Sequence, residues 1–195
     1  KALEKIEIAN EDQVFNYHAT AFLPVASTAS DRVKNAVKKL SVGQQSKWIK
    51  DFTVALKRSF EFVITIQTKR NTYSYIPDVL YLDQGNSFPL LLKLFHYHEN
   101  DSRIETILRL VEIILFRLIY TNGNFQTNSL PYVAYNYNGN IDQLKETLLN
   151  HARKGFQTYW NFEGEFHKYL GGDNHFFSYT RYLLWKYENS LREGV

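Results

Sequence analysis

The chain has 195 residues, 44% of them apolar and 22% charged, with a net charge of +3. That composition excludes a disordered chain and is too weakly basic for a dedicated polycation. It holds no Cys, which excludes disulfides, thiolate metal sites and cysteine nucleophiles, and no run of about 18 apolar residues, so no transmembrane helix is expected.

Fourteen Tyr, fourteen Phe and three Trp put aromatic packing in the expected core. Met occurs nowhere, and the first residue is Lys1. A natural reading frame starts with Met, so the sequence is expected to be a piece of a longer protein, in an intracellular, cytoplasmic setting.

Residues 1–30 are mixed, and "ATAFLPVASTAS" (19–30) reads as a loop. Ser30 or Asp31 is placed to cap the helix "DRVKNAVKKL", which Gly43 breaks. Trp48, Phe52, Ala55, Leu56, Phe60 and Val63 recur at helical spacing, predicting a helix to about residue 65. Its end, "FEFVITIQT", alternates and is β-branched, so a strand stays open there.

Pro77 and Gly85 cut residues 71–87 into short pieces and mark a weak subdivision of what otherwise reads as a single domain over 1–195. Ser87 is positioned to cap "FPLLLKLFHYH", with Pro89 in the first turn. Asp101 or Ser102 precedes a helix over about 102–121. It is apolar around most of its circumference, with Glu105, Arg109 and Glu112 as the polar stripe. This is the expected central, largely buried helix. Residues 122–140 read as a connector with one helical turn. "IDQLKETLLNHARKGF" (141–156) reads as an amphipathic helix ended by Gly155. "NFEGEFHKYLGG" reads as a short helix closed by Gly171 and Gly172. Asp173 or Asn174 caps the last helix. The expected fold is all-α, an irregular helical bundle with few or no strands.

The last helix has two apolar faces. Phe176, Phe177, Thr180, Leu183, Leu184, Tyr187 and Leu191 make the expected core stripe. Opposite lie Tyr182 and Trp185, flanked by Arg181, Lys186 and Asn189. Those residues, with Arg117, are the candidate contacts to a neighbouring domain or partner. The alternative is that residues 1–30 of the same chain cover them. Arg117 sits beside Leu110 and Ile113 by helical geometry. Its guanidinium must snorkel out or meet a carboxylate or a backbone carbonyl.

No motif for catalysis is visible. His96 and His98 in "HYHE" point about 200° apart on a helix and cannot share a metal there. They read as a polar helix end. His175 in "GGDNHFF" offers an anion pocket or a catalytic base, against the plainer reading of a capped turn. Glu163 and Glu165 diverge on a helix, so a paired-carboxylate site is not expected. Glycine-rich phosphate loops and a G-x-S-x-G elbow are absent from the sequence.

Three stretches in order, "SFPLLLKLFHYHENDSRIETILRLVEIILFRLIYTNGN", "IDQLKETLLNHA" and "FFSYTRYLLWKYENSLR", together resemble the helical region of the GmrSD-like restriction-system family. The resemblance covers about residues 86–192. Tyr182, Leu183, Leu184, Lys186 and Glu188 stand where the family has a Tyr-Ile-Leu-x-Lys-x-Glu-like helix, and Arg117 stands where its Arg-rich helix end lies. It implies a non-catalytic connector between a ParB-like NTPase part and an HNH-type nuclease part. A nucleotide and a divalent metal would be bound elsewhere, and no cofactor in this chain. The ParB-like motif is not visible in residues 1–85, and the nuclease histidines and asparagine would follow residue 195. The implied partners are those flanking domains and, weakly, DNA through Arg181, Lys186, Lys34, Lys38 and Lys39. The alternatives are a stand-alone helical module that binds a protein through its aromatic patch, and a free-standing enzyme with His175 as base.

Overall fold

Asn10 opens the first helix, α1 (Glu11–Phe22), with a reciprocal cap: its side chain accepts from Gln13 N at 2.9 Å while the Gln13 side chain accepts from Asn10 N at 2.8 Å. Glu11 and Asp12 in the first turn favour the positive helix end. This corrects the loop expected at 19–30, of which residues 19–22 and 29–30 are helical. Thr28, rather than Ser30 or Asp31, caps α2 (Ala29–Lys38) by accepting from Asp31 N at 3.1 Å. Asp31 instead accepts from the Ser27 and Thr28 hydroxyls, at 3.0 and 2.8 Å.

The computed structural model describes residues 9–69, 72–82, 85–120, 129–154, 162–171 and 180–193. Among them are ten helices and no strand, an all-α bundle. The third, α3 (Val42–Thr68), takes Gly43 into its first turn, so the break after α2 falls at 39–41. It also runs through "FEFVITIQT". Ser59, Val63 and Ile66, at steps of four and three, are all buried, and that helical period prevails over the β-branched alternation. Then come α4 (Ile76–Leu82), with Pro77 in its first turn, and α5 (Phe88–His98), where Ser87 takes the N-cap place. Next are α6 (Ile104–Tyr120), α7 (Ser129–Asn136), α8 (Ile141–Lys154), α9 (Phe162–Gly171) and α10 (Thr180–Glu193). The connector at 122–140 thus holds an eight-residue helix, α7, and Asn140 caps α8 by accepting from Gln143 N at 3.0 Å.

Two helices carry the packing. Every residue of α5 from Phe88 to Phe95 is buried, and the helix is enclosed by α1, α3 and α7. On α6, Ile104, Ile107, Leu108, Leu110, Val111, Ile114, Leu115 and Leu118 are buried, enclosed by α4, α8 and α9. The central helix expected at about 102–121 is therefore present, and α5 is the more completely enclosed of the two. One apolar cluster joins them and includes Ile76, Val79 and Leu82 of α4, so the stretch 71–87 contributes to the same core. A smaller cluster holds α1, α2 and α3 together through Ala19, Leu23 and Ala29, packed by Phe15, Val33, Trp48 and Phe52. No helix among the described residues is long and apolar enough to cross a membrane.

Phe95 has no exposed surface and meets Tyr73 edge-on at 5.7 Å. Phe95→Ala should cost about 3–5 kcal/mol, the usual range for truncating a fully enclosed Phe. Urea denaturation monitored by circular dichroism measures this; a loss under about 1 kcal/mol would mean that the α5 environment is loosely packed.

Candidate functional site

The last helix is seated by polar groups rather than by its leucines. Tyr182 is buried at 4% exposure, whereas Leu184, Tyr187 and Leu191 are 58%, 61% and 54% exposed. The two faces are therefore the reverse of the expectation: part of the predicted core stripe faces out. The side carrying Tyr182, Lys186 and Asn189 turns inward, in steps of four and three. Phe176 and Phe177 lie outside the described residues.

The reason lies on the helices beneath. Asp78 of α4 and Glu112 of α6 are buried, at 4% and 8% exposure. A buried carboxylate without donors is strongly unfavourable. Lys186 Nζ lies 2.6 Å from Asp78 Oδ2 and 3.5 Å from Glu112 Oε1. Tyr182 donates its hydroxyl proton to Glu112 Oε1 at 2.7 Å. Aromatic rings close the cluster. Tyr182 stacks on Tyr81 at 5.4 Å, and the Lys186 ammonium lies 5.4 to 5.7 Å from the ring centres of Tyr75, Tyr182 and Trp185. Glu112, which shares the polar stripe of α6 with Glu105 and Arg109, is thus a buried acceptor. Of that stripe Arg109 alone is exposed, and Glu105 accepts from Ser74 N at 2.8 Å.

Of the candidate contacts, Tyr182 and Lys186 are brought together, with Trp185 beside them and 46% exposed. Arg181 stands exposed on the outer side. Arg117 is elsewhere: its guanidinium donates to the Ala152 carbonyl in the last turn of α8. A cation at that negative helix end is favourable, and it satisfies a carbonyl that has no partner within the helix. Lys34, Lys38 and Lys39 are exposed on and just after α2. His175 lies outside the described residues.

Three buried polar features had no visible counterpart in the sequence. Lys93, at 6% exposure, donates to the carbonyls of Tyr135 and Tyr137 at 2.9 and 2.8 Å, closing the end of α7 as Arg117 closes α8. Burial pushes its ammonium down to about 8. His18 and Ser59, each 2% exposed, pair at 2.7 Å between Nδ1 and Oγ. Burial first, then the charge of His96, pushes His18 down to about 4. A Ser–His pair is a nucleophile's arrangement. Here both groups are enclosed, with the His18 ring against Phe22 and Phe52 at 4.9 and 5.1 Å, so the pair serves packing. The third is the Asp78–Lys186–Glu112–Tyr182 cluster itself. Each is spread over elements 41 to 108 residues apart, and only the faint signal of a polar residue on an apolar helix face preceded them.

His96 and His98 diverge. His96 meets Phe22 and Phe62 edge-on, and His98 Nε2 lies 2.8 Å from the Gly139 carbonyl. Among the described residues no group of three or more His, Asp or Glu is arranged to hold a metal. No family model, no curated protein and no solved structure matches this chain.

Two predictions follow from this geometry. Lys186→Met leaves Asp78 and Glu112 facing each other with one donor fewer. Because the Lys186 side chain is 30% exposed, the expected loss is about 1–3 kcal/mol, below the full penalty for breaking a buried pair. A double-mutant cycle with Tyr182→Phe should give a coupling of at least about 0.5 kcal/mol; additivity would dissolve the cluster as a unit.

His18 gives a pH dependence. It binds a proton near 6.5 when unfolded and near 4 when folded. The unfolded chain therefore takes up more protons between those values, and stability is complete above pH 6.5 and falls as pH drops toward 4. The full loss is about 3 kcal/mol. His18→Gln should flatten that part of the curve in urea titrations; an unchanged slope would remove His18 as its source.

Proposed function

We propose that this chain is the helical, non-catalytic scaffold of a GmrSD-like restriction protein, and that it seats the neighbouring nuclease part on the outer face of α10. The observation that carries this reading is that face. Leu184, Tyr187 and Leu191 lie along one line, all at least 54% exposed. Single exposed leucines are ordinary, but three large side chains aligned on one 14-residue helix form a patch that a partner can cover.

The resemblance supplies the occupant. In the GmrSD-like arrangement the helix of this pattern immediately precedes the nuclease part. Tyr182, Lys186 and the carboxylates beneath them hold the helix to its own bundle, which leaves the opposite face for the next domain. Aromatic residues suit such a joint. The chemistry, with its nucleotide and divalent metal, belongs in this reading to the flanking parts, and a cytoplasmic location goes with it. The same face also fits a stand-alone module that binds a separate protein.

The two readings separate in the coding sequence. A ParB-like motif upstream and an HNH-type His/Asn pattern about one domain length downstream are expected. In that longer protein, Leu184→Ser, Tyr187→Ser and Leu191→Ser combined should lower nuclease activity at least tenfold while leaving the stability of the helical region within about 0.5 kcal/mol, as for surface positions. Flanking sequence with neither motif would overturn the scaffold reading in favour of the interaction module.

A further inference from the structure

Charge is concentrated in one stretch of the chain. From Asp31 to Arg58 there are eight basic and two acidic residues, a net +6; the whole chain is +3, so the rest is net −3. The stretch comprises α2, the turn at 39–41 and the first half of α3. One of its cations is structural: Arg32 is half-buried and donates to the Leu23 carbonyl at 3.2 Å. The others are exposed: Lys34, Lys38 and Lys39 at α2, and Lys47, Lys50, Lys57 and Arg58 on α3. Among the described residues Lys57 is the one of these in an ion pair, with exposed Glu61 at 3.6 Å, and such pairs contribute little.

The α3 cations share a face. At 100° per residue they fall in a sector about 100° wide, roughly opposite the buried side. That buried side carries Ser59, Val63 and Ile66. From Lys47 to Arg58 the row extends about 16 Å along the helix, the axial length of about five base-pair steps. We propose that this outer face of α3 binds the phosphate backbone of duplex nucleic acid without reading its sequence.

The chemistry of the face selects that occupant. Three of its four exposed cations are lysines, point charges suited to phosphates; protein interfaces favour Arg and aromatics and are depleted in Lys. Its exposed apolar side chains are the short Val42, Ile49 and Val54. A membrane-lying helix needs Trp, Phe or Leu free on its opposite side. Here Trp48 and Phe52 stack on each other at 5.1 Å within the cluster that joins α1, α2 and α3. Sequence readout needs bidentate contacts in a groove, chiefly by Arg to guanine; Arg58 is the sole exposed Arg of the row. The proposal stands on charge and exposure and is independent of the α10 reading.

The test is fluorescence anisotropy of the native chain with a labelled 20-base-pair DNA duplex across a salt series. Four phosphate contacts predict a slope of log K against log salt of about −3.6, hence about 150-fold weaker binding at 200 mM than at 50 mM salt. Lys47→Gln, Lys50→Gln, Lys57→Gln and Arg58→Gln combined should weaken binding at 50 mM at least 30-fold and bring the slope near zero, with an unchanged melting curve. Arg109→Gln, Lys145→Gln and Arg153→Gln combined, which remove three exposed cations elsewhere, should change binding less than threefold. Two duplexes of unrelated sequence should bind within threefold of each other. The proposal is overturned if the native chain does not bind the duplex at 50 mM salt. It is also overturned if the two variants lose binding equally, or if vesicles with 30% phosphatidylserine or polyglutamate bind more tightly than DNA.

Discussion

A helix that is apolar on nearly every side must be enclosed, and this molecule encloses two in succession. Residues Phe88 to Phe95 of α5 are all buried, and α6 exposes little beyond Thr106 and Arg109. Each needs its own ring of neighbours: α1, α3 and α7 around one, α4, α8 and α9 around the other. Helices that short end inside the packing, and their last carbonyls must find donors there. The two enclosed helices supply those donors from their own side chains. Lys93 of α5 closes α7, and Arg117 of α6 closes α8. These two charges, buried Lys93 and half-buried Arg117, therefore hold the outer helices in place along the axis, a job that nonspecific apolar contact does poorly.

The same logic governs α10. Its seat is a pair of buried carboxylates, and only side chains with a polar tip and a long apolar stem can both reach them and fill the space between. Tyr182 and Lys186 do so. An apolar Leu in either place would leave a buried carboxylate short of a donor. The cost of that would exceed what burying the leucine returns, since a buried apolar side chain contributes about 1.5–3 kcal/mol. Leu184, Tyr187 and Leu191 are left facing out for this reason. Polar pairing also fixes rotation: turning the helix by one residue, about 100°, would withdraw both donors together.

This explains which parts of the structure were legible in the sequence. Helical period and Gly, Pro or Ser punctuation locate α2, α3, α5, α6, α8 and α9, because those signals are local. The first helix gives a weak signal because its apolar face is small: Val14, Ala19 and Ala21 are buried beside His18. Its cap, Asn10 with Gln13, was the readable sign. The α10 faces were misjudged for a different reason. Hydrophobicity ranks side chains against water, whereas Tyr182 and Lys186 are ranked by partners 70 and 108 residues away. Arg117 was legible in kind, as a guanidinium that must find an acceptor, but the acceptor is a main-chain carbonyl, which every sequence has everywhere.

The proposed surfaces sit on different supports. The basic face belongs to α3, which is tied to α1 and α2 by a small cluster and reaches the main core through α1 and its own later part. The outer face of α10 is carried by α4 and α6 through four polar side chains. Both α5 and α6 contribute to that main core, whose apolar packing resists small displacements. Lys93 and Arg117 hold the ends of α7 and α8 to those two helices. The arrangement suits a body that keeps two attachments at a fixed relation, with whatever moves residing in the parts attached to it.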